Sequence, residues 1–270
     1  MNATVDRPWY EIAFGAHYPH VYAHRDEVDA RRCLDLLPRL APLGPGPVVD
    51  LGCGQGRHLA MLRGRGVPAV GIDLSRPLLD LARNADPALA LVRADMRRLP
   101  VRSGSCSAVL SLFTAFGYFG PAAAHEPVVA EVARVLGASG HWFLDFLDSE
   151  RVATELASGA RTRERTLGAL LVREQRQLAD APRRVVKTVD VSARAGCEPA
   201  AAAAGIGPAG LRYREEVTLL GLAELDELAG AAGLRRVAAA GDYAGAPLVP
   251  GESERWLLVY GRSERCGVTW

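Results

Sequence analysis

Short apolar segments alternate with helix-like stretches through the first half of the chain. The helix-like stretches are near 56–64, 76–84 and 124–136. The apolar segments that they separate are near 47–51, 68–73, 90–93, 106–112 and 141–147. Continuous apolar runs of this length are typical of strands that are buried on both faces. The alternation therefore predicts an α/β fold in which helices cover both sides of a mostly parallel sheet.

The sequence pattern changes after residue 150, where strand-like stretches follow one another without the regular alternation with helices. Strand-like stretches occur near 168–176, 184–193 and 211–219, and we predict that residues 195–210 form a flexible low-complexity loop between the last two. These stretches predict an antiparallel β cap inserted into the main fold. The chain then returns to the main sheet, with a helix near 222–233 and strands near 234–240 and 255–261. The main sheet would then have seven strands.

An aromatic and histidine-rich segment opens the chain at residues 8–24, and a helical pattern follows from about Asp26 to Leu40. We therefore divide the chain into four parts: an N-terminal helical lid, a core, the β cap, and a return to the core sheet. Their predicted boundaries are 1–46, 47–150, 151–219 and 220–270.

Composition and charge narrow the range of functions. The chain has 270 residues, of which 49% are hydrophobic and 23% charged, so it can bury a sizeable core. The net charge of +1 provides no long-range attraction for a polyanion. Arginines are dense between residues 151 and 194, but acidic residues interleave with them, as is typical of a solvated face. We therefore expect no nucleic-acid partner.

The cysteines do not indicate a metal site or a disulfide framework. They are scattered at positions 33, 53, 106, 197 and 266, without a C-x-x-C pair or a His/Cys ligand spacing.

No apolar run reaches the roughly 20 residues that span a bilayer, and the first residues lack a secretory signal pattern. We expect a cytoplasmic protein, a monomer or homodimer, with no membrane partner.

A glycine-rich turn follows the first predicted strand, in the sequence VVDLGCGQGRH from Val48 to His58. Asp50 ends the apolar run, and Gly52, Gly54 and Gly56 follow at alternate positions. Such a turn lets backbone press closely against a nucleotide-like ligand before a helix begins. The third glycine falls one residue too early for the G-x-G-x-x-G dinucleotide pattern, which makes NAD and FAD less suitable ligands.

Acidic residues end the next two strands as well. Asp73 stands nineteen residues after Gly54, where a carboxylate accepts hydrogen bonds from ribose hydroxyls. Asp95 ends the third apolar run, where an acid accepts from the exocyclic amino group of adenine, and Met96 would pack on the ring. The ends of three strands thus describe one adenosine-containing ligand.

This combination resembles the class I S-adenosylmethionine-dependent methyltransferases, of the bacterial small-molecule type. The resemblance rests on the D-x-G-x-G-x-G loop from Asp50 to Gly56, on Asp73 and Asp95, and on the later segments 111–120 and 132–148. It implies a Rossmann-like, seven-stranded fold with S-adenosylmethionine as cofactor and S-adenosylhomocysteine as product. The cofactor-binding residues implied in this way are Tyr22, Arg25, Asp50, Gly52, Gly54, Gly56, Asp73, Leu74, Asp95, Met96, Leu112 and Phe113.

Catalytic candidates follow from the carboxyl ends of the fourth and fifth strands, where reacting groups collect in an open α/β sheet. Transfer of an activated methyl group requires alignment and exclusion of water, and it requires a general base only for some acceptors. We expect Asp145 as that base, with His20 or His17 of the lid as alternatives, and Tyr118 as a further catalytic residue. Asp148, Asp242 and Tyr243 are weaker candidates.

The function expected from the sequence is methyl transfer to O, N or C of a small organic acceptor, such as a bacterial specialised metabolite or sugar, held under the 151–219 cap. Two alternatives stay open. One is a cofactor-binding protein of this fold with a non-methylating role, as a cyclase or regulator. The other is a protein or RNA methyltransferase, which would need an open groove and a more basic surface.

Overall fold

The computed structural model describes residues 8–22, 27–181 and 183–262. Its helices are α1 (Trp9–Ala13), α2 (Tyr18–Val21), α3 (Glu27–Leu40), α4 (Arg57–Gly64), α5 (Arg76–Ala85), α6 (Glu126–Val135), α7 (Ser149–Leu156), α8 (Glu198–Ala203) and α9 (Leu222–Ala231). Its strands are β1 (Val48–Leu51), β2 (Ala69–Asp73), β3 (Leu91–Arg93), β4 (Cys106–Ser111), β5 (Leu136–Leu147), β6 (Arg161–Leu167), β7 (Leu170–Ala179), β8 (Arg184–Ala193), β9 (Leu211–Thr218), β10 (Leu234–Ala240) and β11 (Arg255–Arg262). A short 3₁₀ helix, Ala122–His125, precedes α6.

The main sheet has seven strands in the order β10-β11-β5-β4-β1-β2-β3. The strands from β5 to β3 pair in parallel, whereas β11 runs antiparallel to both of its neighbours. The predicted fold class, a mostly parallel sheet with a separate antiparallel β unit, is confirmed.

Helices bury the apolar strands from both sides. On one face, α6 and α9 pack on the central strands, with Val128, Val132 and Leu225 in the same apolar cluster as Trp142. On the other face, Leu34 and Leu37 of α3 pack on the opposite side of the strands. A strand such as β1, in which all four residues are buried, requires cover on both faces, which explains its continuous apolar sequence.

The second sheet contains β6, β7, β8 and β9 in consecutive antiparallel order. Its inner apolar face packs under α1, α2 and α8. Two predictions for this region are wrong. Strand β6, with the sequence RTRERTL, was missed because its charged residues hide the alternation, although seven residues pair with β7. Helix α8 lies in the segment predicted as a flexible loop, and its buried Ala201 anchors it to the sheet.

Strand β5 starts earlier than the sequence predicts. The sequence predicts a helix up to about residue 136 and a strand from about residue 141, but β5 begins at Leu136 and includes the glycine-containing segment 137–140. Leu136 pairs with Cys106 and His141 pairs with Ala108, so the register shifts between these pairs. The glycine-containing segment is therefore an irregularity within the strand, where small residues accommodate the extra chain length.

Candidate functional site

A cavity of about 320 Å³ opens at the carboxyl ends of β1, β2, β3 and β4. This volume lies within the range of small-molecule sites. The glycine-rich turn, the ends of β2 and β3, the segment 112–119, and helices α1 and α2 form its walls. The lining includes Tyr10, Glu11, Phe14, Tyr18, Gly52, Gly54, Arg57, His58, Asp73, Leu74, Asp95, Met96, Leu112, Phe113, Ala115, Tyr118 and Phe119. Eight of the predicted cofactor-binding residues are in this set: Gly52, Gly54, Asp73, Leu74, Asp95, Met96, Leu112 and Phe113.

The glycine-rich turn needs glycine for two different reasons. Gly52 and Gly54 have φ values of +78° and +55°, which other residues rarely adopt. A Cβ atom at Gly52 would lie 2.7 Å from the Cβ of Ala115, so there is no room for a side chain there. At Gly54 the nearest atom to such a Cβ is a Leu78 methyl at 3.9 Å, so a longer side chain would extend into the cavity. The turn is thus shaped to present bare backbone to a ligand.

Asp73 ties this turn to the second strand. One of its carboxylate oxygens accepts the backbone N–H of Gly54 at 2.8 Å, and the other accepts that of Ser75 at 2.8 Å. Burial raises the pKa of Asp73, and the backbone N–H donors oppose that rise. A carboxylate that accepts one hydrogen bond per oxygen keeps lone pairs for further donors. Asp73 can therefore bind a ligand while it holds the loop.

Asp50 lies beneath the turn and does not line the cavity. Asp50 is 1% exposed, and its Oδ2 atom has no hydrogen-bond partner among the residues that the structure describes. Burial, followed by the charge of Asp73, raises its pKa to about 7. Gly56, the third predicted glycine, also lies outside the lining, and a Cβ there would meet Leu89 at 2.9 Å. Asp50 and Gly56 therefore act under the turn rather than on the cavity wall.

Asp95 lines the cavity but is already paired. The Arg97 guanidinium contacts both Asp95 oxygens at distances of 2.6–3.1 Å. The hydrogen bond from Arg97 holds the pKa of Asp95 below its usual value. A ligand amino group would therefore share this carboxylate with Arg97. Met96 lies beside it in the lining, as predicted.

An aromatic wall closes the cavity on the side of the N-terminal helices. Tyr10, Phe14 and Tyr18 face the cavity from this segment, opposite Tyr118 and Phe119. The rings of Phe14 and Tyr118 are 5.5 Å apart, and those of Tyr10 and Phe119 are 6.1 Å apart. Tyr10, Phe14 and Tyr18 belong to the aromatic segment 8–24, which lies in the predicted lid. Phe14 and Phe119 were missed, although the density of aromatic residues in both segments was a usable signal.

Three predicted lid residues lie elsewhere. Tyr22 is buried against the cap sheet, where its hydroxyl donates to Glu215 and lies 2.5 Å from the Nζ atom of Lys187. It does not line the cavity because the cap sheet holds its side chain. His20 is exposed on α2 and is not part of the lining. The alternative base, His17, is buried against the ring of Tyr213. Arg25 lies outside the described residues.

Asp145 is fully buried and does not line the cavity. Its Oδ2 atom accepts the N–H of Phe113 and the hydroxyl of Tyr243, both at 2.7 Å, and its Oδ1 atom accepts from Arg255. Because both oxygens of Asp145 accept hydrogen bonds and the side chain does not reach the cavity, its position does not support the predicted role as general base. Asp148 is also structural, because it caps α7.

The segment after β4 contains two strained residues. Phe113 and Thr114 have φ values of +55° and +61°, in a region that costs residues other than glycine about 1–3 kcal/mol each. Thr114 is β-branched, which makes this conformation especially unusual. Phe113 and Tyr118 both face the cavity from this segment. The hydroxyl of Tyr118 donates to the carbonyl of Thr114.

His58 also lines the cavity, at the start of α4. It is 6% exposed, and its ring lies 5.1 Å from that of Phe113. Within the described part of the chain, its Nε2 atom has no hydrogen-bond partner. Burial, followed by the charge of Arg57, lowers its pKa to about 3. The imidazole is therefore neutral at physiological pH and can accept or donate one hydrogen bond.

The expected position of the acceptor under the β cap is not supported. None of the residues that line the cavity belongs to the segment 151–219. The four-stranded sheet packs on the outside of α1 and α2 instead, and these helices form the wall.

Within the described residues, no group of three or more His, Cys, Asp or Glu side chains is arranged to hold a metal ion. The helices of that same part of the chain include none that is long and apolar enough to cross a bilayer.

Comparisons with known proteins agree with this geometry. A family model described as a methyltransferase domain matches residues 48–140. A trans-aconitate 2-methyltransferase from Paracidovorax citrulli is 28% identical over 162 residues, which are 57% of this chain and 61% of that protein. The match thus spans less than two thirds of the length of this curated relative.

Two solved structures share the fold over nearly the whole chain. The CcbJ methyltransferase from Streptomyces caelestis has a TM-score of 0.74 and 20% identity, with 94% of this chain and 99% of that chain covered. The sugar N-methyltransferase KedS8 from Streptoalloteichus has a TM-score of 0.66 and 21% identity, with 92% and 93% covered. The resemblance and the fold class inferred from the sequence are confirmed.

Proposed function

We propose that this chain, whose residues 48–140 form a methyltransferase domain in the class I S-adenosylmethionine-dependent fold, moves the methyl group of S-adenosylmethionine to a small organic acceptor. The single observation that carries the proposal is the cavity at the carboxyl ends of β1 to β4. There the bare backbone of Gly54 and the carboxylates of Asp73 and Asp95 border one space.

The residues present fit this cofactor. Asp73 keeps acceptor capacity for ribose hydroxyls after it has bound two backbone N–H groups. Met96 and the apolar Leu112 supply surface for a base ring between the ends of β3 and β4. Asp95 would accept from the adenine amino group alongside Arg97.

The chemistry that the cofactor supplies when bound is a methyl group already activated by a sulfonium. The chain's own contribution is alignment and the exclusion of water. Tyr10, Phe14 and Tyr18 cover the cavity with aromatic surface, and Phe113 and Tyr118 face them from the loop after β4. We assign Tyr118 to the acceptor side of the cavity. His58, held neutral, offers a single polar atom among these rings.

A small acceptor is the substrate class that this wall favours. Aromatic side chains, rather than an open basic groove, close the cavity beside the residues that would hold the cofactor. The names of the trans-aconitate and sugar N-methyltransferases support small acceptors without selecting O, N or C. A further solved structure of this fold, with a TM-score of 0.57 and 21% identity, is described as an amino pentose methyltransferase involved in calicheamicin biosynthesis, which favours a role in specialised metabolism. A cytoplasmic location and a monomeric or dimeric state remain part of the proposal.

Calorimetric titration with S-adenosylmethionine, and separately with NAD, tests the cofactor. We expect binding of the former only, because the third glycine of the turn is displaced from the dinucleotide pattern. Mass spectrometry of an acceptor panel then tests transfer as a gain of one methyl group. Binding without turnover on amines, alcohols and carboxylic acids would favour the non-methylating alternative, and absence of binding would refute the proposal.

A further inference from the structure

We propose that Asp145, Arg255 and Tyr243 form a positioning group that holds the strained turn at Phe113 and Thr114. By holding this turn, the group fixes the position of the cavity wall that would contact the cofactor. The proposal rests on the proposed function for the identity of that ligand. It assigns no catalytic role to these residues, since none of the three lines the cavity.

Asp145 brings together three separate parts of the chain. It lies in β5, Arg255 begins β11, and Tyr243 follows β10. Because β11 runs antiparallel to β5 and β10, its first residue and the end of β10 lie at the carboxyl edge of β5. The Asp145 carboxylate accepts from Tyr243 at 2.7 Å and from the Arg255 Nε. An aspartate that is 0% exposed is stable only when such donors compensate its charge.

The same group holds both residues of the strained turn. The Asp145 side chain accepts the N–H of Phe113 at 2.7 Å, and its backbone carbonyl accepts the N–H of Thr114 at 3.0 Å. The Nη2 atom of Arg255 donates to the hydroxyl of Thr114 at 2.8 Å. Conformations of this kind persist when the surroundings over-determine them, and here three hydrogen bonds do so.

The turn transmits this support to the cavity. The ring of Phe113 faces the cavity and lies 5.1 Å from the guanidinium of Arg57 and 5.1 Å from the ring of His58. Both of these residues begin α4, directly after the glycine-rich turn. Behind Phe113, the ring of Tyr243 lies at 5.8 Å. A shift of the turn would therefore displace the aromatic ring that packs against the start of α4.

Both partners keep the protonation state that this arrangement needs. Burial lowers the pKa of Arg255, but the Asp145 carboxylate and Tyr243 outweigh it, so the net pKa lies above its usual value. Burial, followed by the charge of Asp145, raises the pKa of Tyr243, so its hydroxyl stays a donor at neutral pH.

The chain contains a matched control for Tyr243. Tyr260 donates its hydroxyl to Asp226 at 3.0 Å, and Asp226 also pairs with Arg236 at 3.0 Å. This second Asp–Arg–Tyr group joins β10, β11 and α9, away from the cavity. Tyr260→Phe removes the same kind of hydrogen bond as Tyr243→Phe, without touching the turn.

The experiment compares Tyr243→Phe with Tyr260→Phe in the full chain. The first readout is hydrogen exchange of peptides that cover 112–119, measured by mass spectrometry without ligand. The second is calorimetric affinity for S-adenosylhomocysteine. We expect Tyr243→Phe to speed exchange of these peptides and to weaken binding about tenfold, as loss of one charge-assisted hydrogen bond implies. Tyr260→Phe should leave both readouts at the wild-type level.

A third variant separates support of the turn from general destabilisation. Asparagine adopts positive φ more readily than threonine and keeps a side-chain oxygen for Arg255. Thr114→Asn added to Tyr243→Phe should therefore restore most of the lost affinity and slow the exchange. Wild-type exchange in Tyr243→Phe, or equal changes in Tyr260→Phe, would refute the positioning role. If the wild-type chain does not bind S-adenosylhomocysteine but the exchange difference is present, the proposed function fails while the support of the turn stands.

Discussion

The two edges of the main sheet are built from the same strands but in different ways. At the carboxyl edge the structure keeps strained residues at 113 and 114, and buried polar atoms of Asp50 and His58 without partners. At the amino edge, arginine side chains instead donate hydrogen bonds to backbone carbonyl groups near the strand ends. Arg134 donates to the carbonyls of Leu99 and Val101.

Arg262 treats the amino edge in the same way, donating to the carbonyls of Ala133 and Leu136. Ser107 donates to the carbonyl of Gly46 at 2.7 Å, next to the start of β1. Strain and unpartnered polar groups cost stability, and folds tolerate them where they serve a ligand. The amino edge therefore stabilises the fold, whereas the carboxyl edge is shaped for binding.

The largest expected effect comes from glycines with positive φ at the two edges. Gly54→Leu should weaken S-adenosylmethionine binding more than about 100-fold, because the side chain would enter the cavity. Gly66, after α4, has a φ of +71° and open space around a Cβ. Gly66→Leu should therefore lower stability by a similar strain and leave affinity unchanged. Calorimetry measures the affinity of both variants, and thermal unfolding measures their stability. Equal losses of affinity would contradict the assignment of binding to the carboxyl edge alone.

The amino edge should reveal itself through stability. Arg134 also pairs with Glu131 at 2.6 Å, so Arg134→Ala removes several charge-assisted hydrogen bonds at once. We expect the free energy of unfolding to fall by about 2 kcal/mol in urea titration. Affinity for S-adenosylmethionine should stay within twofold of the wild type. A large loss of affinity would mean that the two edges are coupled.

An acidic residue at each edge offers a smaller test. Asp73→Ala should weaken S-adenosylmethionine binding about tenfold, because it removes a ribose acceptor and frees the Gly54 N–H. The matched control is Asp86, which ends α5 and accepts the N–H of Ala88 at 3.0 Å. Asp86→Ala should leave the affinity measured by calorimetry unchanged. Unchanged affinity in Asp73→Ala would remove this carboxylate from the binding site.

Per pH unit, the smallest effect is the pH dependence that Asp50 adds at the carboxyl edge. Its folded-state pKa of about 7 lies above the usual aspartate value, so the folded state retains a proton that the unfolded chain has lost. Its stabilising contribution is therefore fully present below about pH 4 and is lost as the pH rises through about 7. The slope is on the order of 1 kcal/mol per pH unit in between.

Denaturant titrations across this window compare Asp50→Asn with the wild type. We expect the asparagine variant to lack the loss of stability between about pH 4 and about pH 7. The same slope in both proteins would assign the pH dependence to other groups.

Local signals in the sequence were sufficient for the sheet and for half of the site. The glycine turn, Asp73 and Asp95 lie next to strand ends, so their positions follow from where each strand stops. The apolar runs likewise predicted all seven strands of the main sheet. The β cap was predicted less completely, because the charged residues of β6 pair across a sheet that leaves them exposed, and so no apolar alternation marks the strand.

The role of Asp145 depended on contacts that are distant in sequence. Its partners Arg255 and Tyr243 are 110 and 98 positions away, and only the antiparallel β11 brings them to the same edge. Tyr22 is held by Glu215 of the cap, 193 positions away, rather than by the cavity. Sequence patterns are sufficient to identify the strand ends that carry the glycine turn and the acidic residues, because backbone conformation and apolar periodicity are local properties. Only the folded chain shows which acidic side chains are buried with partners, such as Asp145, and which line the cavity, such as Asp73. Hydrogen bonding and burial depend on neighbours that the chain brings together only when it folds.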